Sequence, residues 1–135
     1  SGTRGLPPFL INNPGLNSGF MISQYTAASL VSKNKVLCHP ASVDSIESSN
    51  GQEDHVSMGS ISGVKLLEVV KNLHRILSIE LLTASQGMEF RRPRKTSVEL
   101  ENMLSTFRKE VPYIEKDVVM HYIMKKTEGF ISDWK

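Results

Sequence analysis

The sequence predicts an all-α protein, a long-helix bundle, on three observations. Residues 60–86 repeat apolar side chains at spacings of three and four, the period of one helix face. The stretches on either side carry helix caps and stops, with no strand–turn–strand alternation. No internal repeat points to a solenoid.

The elements follow in order. Pro7-Pro8 and Asn13-Pro14-Gly15 break regular structure, so residues 1–17 read as an irregular lead-in entered from upstream. Asn17 or Ser18 is the expected N-cap of a helix that starts near Gly19. Met21, Ile22, Tyr25, Ala28, Leu30 and Val31 give it a broad apolar surface, and Lys33-Asn34-Lys35 a polar end. His39-Pro40 stops it, because the residue before proline avoids the α region. Residues 40–54 are serine-rich and aperiodic, a long loop of the kind that often carries function.

The 60–86 helix is the clearest element. Leu66, Val69, Val70, Leu73, Ile76, Leu77, Glu80, Leu81 and Ala84 mark its faces. About 27 residues of α-helix span about 40 Å. From Ile76 to Ala84 apolar residues spread round most of the circumference, which predicts burial on several sides. The remaining helices cannot cover all of that surface, so outside partners are implied. Glu80 lies among leucines and calls for a cation from another helix. Gln86-Gly87 is the expected C′ glycine stop. Arg91-Arg92-Pro93-Arg94-Lys95 reads as a solvated turn rather than an anion patch. Thr96 or Ser97 caps the next helix, with Glu99 and Glu101 at its positive end, and Pro112 closes it after Glu110. Residues 117–132 form a last helix with Val118, Val119, Tyr122 and Ile123 apolar.

Composition excludes several classes. With 16 basic and 14 acidic residues the net charge is +2, too small for a dedicated nucleic-acid binder. Cys38 is the single cysteine, so no disulfide forms within the chain; it reads as a small buried hydrophobe in a reducing setting. No signal-peptide pattern and no apolar run near ~20 residues occur, so no membrane span is expected and the cytoplasm is the expected location.

Chemistry is expected at Gln52-Glu53-Asp54-His55-Val56-Ser57-Met58-Gly59. Carboxylates massed before a buried helix are costly unless something binds them. Asp54 is the expected cap of the long helix, with Glu53 at its positive end. Adjacent residues seldom face one ion and no second ligand cluster lies near, so no metal is expected. His55 reads as a structural hydrogen bonder. Gly15-Leu16-Asn17-Ser18-Gly19 matches no nucleotide fingerprint.

The same run resembles the signature of the histidine ammonia-lyases, within the aromatic amino acid ammonia-lyase family. Three further blocks agree in order and spacing: Gly15-Leu16-Asn17-Ser18-Gly19-Phe20-Met21, His39-Pro40-Ala41-Ser42-Val43-Asp44-Ser45, and Ile79-Glu80-Leu81-Leu82 with Gln86-Gly87. The resemblance runs from about Leu6 to about Asp117.

The resemblance implies a C-terminal helical segment (residues 1–135) of a larger all-α homotetramer. In that family long helices share a central bundle, and each active site draws on more than one subunit. The partners implied are the N-terminal remainder of the lyase, sister subunits and L-histidine, which is converted to urocanate and ammonia. The implied electrophile is a methylidene-imidazolone formed from Ala-Ser-Gly. This chain has no such tripeptide: Ala28-Ser29 is followed by Leu30 and Ala84-Ser85 by Gln86. The group is therefore expected outside the segment, and the chain alone is expected to be inactive.

By the same resemblance Glu53 falls where the family places a carboxylate beside the substrate, and Gln52 is the residue expected to support it. Histidine-specific members have Glu there, whereas phenylalanine and tyrosine lyases resemble Gln. Two rivals stand beside this reading. One is a phenylalanine or tyrosine ammonia-lyase or aminomutase, against which Glu53 argues. The other is a non-catalytic helical oligomerisation module, which has no need of the polar run 52–55.

Overall fold

A computed structural model describes residues 2–134; Ser1 and Lys135, the outermost positions of the segment, lie outside the described residues. Four α-helices follow one another: α1 Met21–Leu37, α2 Gly59–Glu89, α3 Val98–Glu110 and α4 Met120–Asp133. No strand occurs among the described residues. The all-α expectation holds, and α2, at 31 residues, is the axis on which α1 and α4 pack.

The core lies at one end of the bundle. Leu82 of α2, Phe107 of α3 and Phe130 of α4 meet Ile11, Phe20, Val111, Ile114 and Met120. The Phe107 and Phe130 rings meet edge-to-face at 5.1 Å, a favourable quadrupole arrangement. Ile11, Leu82, Phe107 and Val111 are fully buried.

Where the signals were local, α3 follows the expectation. Ser97 caps it, its Oγ accepting from the Leu100 amide at 3.3 Å, and Glu99 and Glu101 lie in the first turn. The helix ends at Glu110, two residues before Pro112. The basic run 91–95 is exposed in the turn between α2 and α3. Arg92 pairs there with Glu101 at 2.8 Å and with Glu89 at 3.4 Å.

Other expectations are corrected. Neither Asn17 nor Ser18 caps α1, which begins at Met21 after an uncapped Phe20. Asp117 instead fastens the turn ahead of the helix from 98 residues away: its two carboxylate oxygens accept the amides of Ser18 at 2.9 Å and Gly19 at 2.8 Å. The Asp117 amide in turn donates to Asn17 Oδ1 at 3.1 Å. Those two amides hold the Asp117 carboxyl below its ordinary 3.8. Gly19 is required at this point, since it adopts φ +53° and a Cβ would stand 2.6 Å from the Phe9 carbonyl oxygen.

Gly87 does not stop α2. The helix runs through it to Glu89, and Gly87 is buried, with Leu6 and Leu10 4.0 Å from where its Cβ would be. Beside it, buried Gln86 donates to the carbonyls of Leu10 at 3.1 Å and Ile114 at 2.8 Å, and accepts from the Ile114 amide at 3.2 Å. A small residue and an amide here serve tertiary packing, which overrides the local stop signal. Cys38 is exposed, not buried, because α1 ends beside it at the chain's open side. Glu80 is also exposed, in an open groove that α2 shares with Phe20, Gln24 and Ala27 at the start of α1.

Candidate functional site

The loop joining α1 to α2 carries the polar run. It leaves α1 at Cys38, makes short turns at Ala41–Val43 and Ser49–Gly51, and enters α2 at Gly59. Lys65 of α2 ties its start by donating to the His39 carbonyl. The middle is pinched shut: the Ser48 amide donates to the Glu53 carbonyl at 2.8 Å and the Glu53 amide returns to the Ser48 carbonyl at 3.2 Å. Between them Ser49, Asn50 and Gly51 all adopt positive φ, of 53°, 57° and 81°. Only Gly takes that conformation freely, and Asn tolerates it better than most residues. Ser45 Oγ reaches the Asp54 and Val56 carbonyls at 3.5 and 3.4 Å. The loop is thus a shaped element, with Glu53 at the closing position of its turn.

Gln52, Glu53, Asp54 and His55 are all exposed on this chain. Glu53 makes no ion pair among the described residues, so its carboxylate is free to meet a ligand or another chain. Asp54 does not cap α2. The helix starts five residues later, and its first turn is met by Ser57, whose Oγ accepts from the Gly59 amide at 3.3 Å. Nor do the carboxylates lie at the mouth of a buried helix, because the first turns of α2 are exposed.

A cleft of about 320 Å³ opens beside the run, walled by Asp44, Ser45, His55, Ser57, Met58 and Ser62 among others. Gln52 and Glu53 stand outside that wall. Within the described residues, then, the site is one-sided: a fixed loop presents Glu53 and Gln52 outward, and no catalytic partner faces them.

The loop precedes a long helix that the described residues leave half uncovered, in an all-α bundle. The chain belongs to the aromatic amino acid lyase family, whose model matches residues 1–109. Among its relatives, a histidine ammonia-lyase from Natranaerobius thermophilus is 55% identical over 113 residues, covering 84% of this chain and 22% of that protein. The crystal structure of histidine ammonia-lyase from Trypanosoma cruzi is 50% identical, covering 94% of this chain and 25% of that one with a TM-score of 0.89. A tyrosine aminomutase from Streptomyces globisporus is 33% identical, covering 95% of this chain and 24% of that one, with a TM-score of 0.86. The chain spans about a quarter of the length of these relatives.

Sequence reasoning missed the two residues that hold this end of the fold together, Gln86 and Asp117. The one signal available was Gln86 itself, an amide next to glycine on the strongly apolar part of a helix. Nothing local marks Asp117, whose partners lie about a hundred positions away.

Proposed function

We propose that this chain is the C-terminal helical segment of a histidine ammonia-lyase, forming one wall of an active site that eliminates ammonia from L-histidine to give urocanate. The observation that carries the reading is the degree of identity: about half of the aligned residues match histidine ammonia-lyases, against a third for the aminomutase.

Glu53 is the substrate-facing residue. Its carboxylate accepts a hydrogen bond from the imidazole N–H of histidine, or pairs with imidazolium, at about twice the strength of a neutral hydrogen bond. A phenyl ring offers no such partner, which is how one carboxylate selects histidine over phenylalanine. The same carboxylate can hold a proton close to the reacting side chain. Gln52, next in the turn, supports its placement. The double pinch between Ser48 and Glu53 fixes the backbone from which the carboxylate projects, so little ordering remains when substrate arrives.

The family's electrophile, methylidene-imidazolone, does not come from these residues. Ala28-Ser29-Leu30, Ala41-Ser42-Val43 and Ala84-Ser85-Gln86 all lack the glycine. Ser29 and Ser85 are also held inside helices, donating to the Thr26 and Leu82 carbonyls at 2.8 Å. Another part of the polypeptide supplies the group, and the chain alone is inactive. The tetramer and a cytoplasmic setting complete the reading. Support for the tetramer comes from α2, whose exposed apolar residues need cover.

The test is urocanate formation by the intact polypeptide, followed by its ultraviolet absorbance. Steady production from L-histidine is expected. Turnover of tyrosine or phenylalanine in place of histidine would favour the aminomutase or the aromatic lyase.

A further inference from the structure

The turn that leads to Glu53 is wound against the hand that L-residues favour. Ser49, Asn50 and Gly51 take φ of 53°, 57° and 81° in succession. The Gly51 amide donates to the Ser48 carbonyl at 3.2 Å and the Gln52 amide to the Ser49 carbonyl at 3.3 Å, so the three residues close one short turn of left-handed sense. Residues other than glycine enter that region singly, because a Cβ there crowds the following carbonyl oxygen. A run of three stands only where the surroundings over-determine it, and such places cluster at functional sites. Here the paired bonds between Ser48 and Glu53 clamp the two ends of the turn. Glu53 closes it, so the hand of the turn sets the direction in which the Glu53 side chain leaves the loop.

Gly51 keeps the reversed hand accessible. Ser49 and Asn50 each carry a Cβ that favours the ordinary hand, although Asn tolerates the reversed one better than Ser. Gly51 carries none, and its φ is the largest of the three. Space matters less. A Cβ at position 51 would stand 3.2 Å from Glu47 Oε1, the far end of an exposed side chain that can swing aside. A side chain there acts on the hand of the turn and not by collision.

We propose that Gly51 is a positioning residue of the lyase reaction, holding the 49–51 turn in the left-handed sense from which the Glu53 carboxylate meets the imidazole of histidine. This role rests on the reading of Glu53 as the substrate-facing residue. A third Cβ in the turn shifts it toward the ordinary hand. Substrate then binds only the fraction of enzyme whose turn is still reversed, which raises KM and leaves kcat largely alone, since the bound complex keeps its geometry. A defect of folding does the opposite: fewer active molecules lower kcat at an unchanged KM.

The test uses the intact lyase, with urocanate formation measured across a range of L-histidine concentrations. Gly51→Ala should raise KM about tenfold, with kcat within about twofold of the parent. Gly51→Asn brings the same Cβ but tolerates the reversed region, so its KM should stay within about threefold. Ser49→Gly is the converse change: it removes a Cβ from the same turn and should leave KM at or below the parent's. In a Glu53→Ala background Gly51→Ala should have no further effect on KM, because no carboxylate is left to aim. An unchanged KM in Gly51→Ala overturns the proposal. So does a loss confined to kcat, equal damage from Ala and Asn, a large rise in KM from Ser49→Gly, or a full effect on KM that persists without Glu53. The Glu53→Ala protein separates the two readings. If it turns histidine over at near the normal rate, the site reading fails and the positioning role with it. If it is crippled while Gly51→Ala keeps the parent's KM, only the role of Gly51 falls.

Discussion

The two halves of α2 do different work. From Ser78 to Gly87 the helix is core: Ser78, Ile79, Leu82, Ser85, Gln86 and Gly87 are buried, and Gln86 holds both the lead-in and the segment after α3. From Gly59 to Leu77 a single residue is buried, Asn72, which donates to Asn34 Oδ1 of α1 at 2.8 Å. Yet this half is at least as apolar, with Ile61, Val64, Leu66, Leu67, Val70, Leu73 and Leu77 all exposed. Hydrophobicity alone therefore does not say where a chain's own core lies. One half of the helix is covered by residues of this chain, and the other is not. The loop that carries Glu53 joins the uncovered half.

The largest expected effect tests that loop. In the intact lyase, Glu53→Gln should cut histidine turnover by about a hundred- to ten-thousand-fold with the helical circular dichroism unchanged. Near-normal turnover would remove Glu53 from the site. Next comes the covered half. Phe107→Ala in this chain should cost about 3–5 kcal/mol in a denaturant titration, since a fully buried ring leaves a cavity. Gln86→Leu should cost about 1–3 kcal/mol, because the Ile114 amide and the Leu10 and Ile114 carbonyls lose their partner. In the uncovered half, Leu66→Ala should change the stability of the isolated chain by no more than about 0.5 kcal/mol. In the assembled lyase the same change should weaken subunit association. If Leu66→Ala proved as costly as Phe107→Ala in the isolated chain, the contrast between the halves would fail.

The smallest effect concerns acid. The Asp117 carboxyl is held low by the Ser18 and Gly19 amides, so its contribution is complete above 3.8 and is lost as pH falls through its depressed folded value. Asp117→Asn should leave an acid-unfolding profile with less stability to lose below that point. A superimposable profile would mean the contact does not couple to folding.

What was legible in the sequence divides along similar lines. Ser97, Glu110 and Pro112 bound α3 correctly because capping and proline sterics act within a turn of the residue concerned. The existence of α2 was legible from its period, and its incomplete burial from the excess of apolar residues. Its ends were not. Gly87 looks like a stop, but its missing side chain makes room for Leu6 and Leu10. Asp54 looks like a cap, but the pinch at Ser48 and Glu53 keeps the backbone in a turn and delays the helix to Gly59. Glu53 is a candidate chiefly through the family resemblance, since an exposed carboxylate in a serine-rich loop carries no physical mark of a role. The Asp117 clasp was illegible because its partners share no sequence neighbourhood.

That clasp also sets a timetable for biosynthesis. The start of α1 emerges from the ribosome with the Ser18 and Gly19 amides unmatched, and they stay so until Asp117 is made 98 residues after Gly19. At about 5–20 residues per second the wait is roughly 5–20 s. The exposed apolar half of α2 is translated midway through this interval, before α3 and α4 exist to close the core behind it. A nascent chain is therefore most open to wrong pairing at Leu66–Leu77, and the turn ahead of α1 is tied down only after most of the chain has been made.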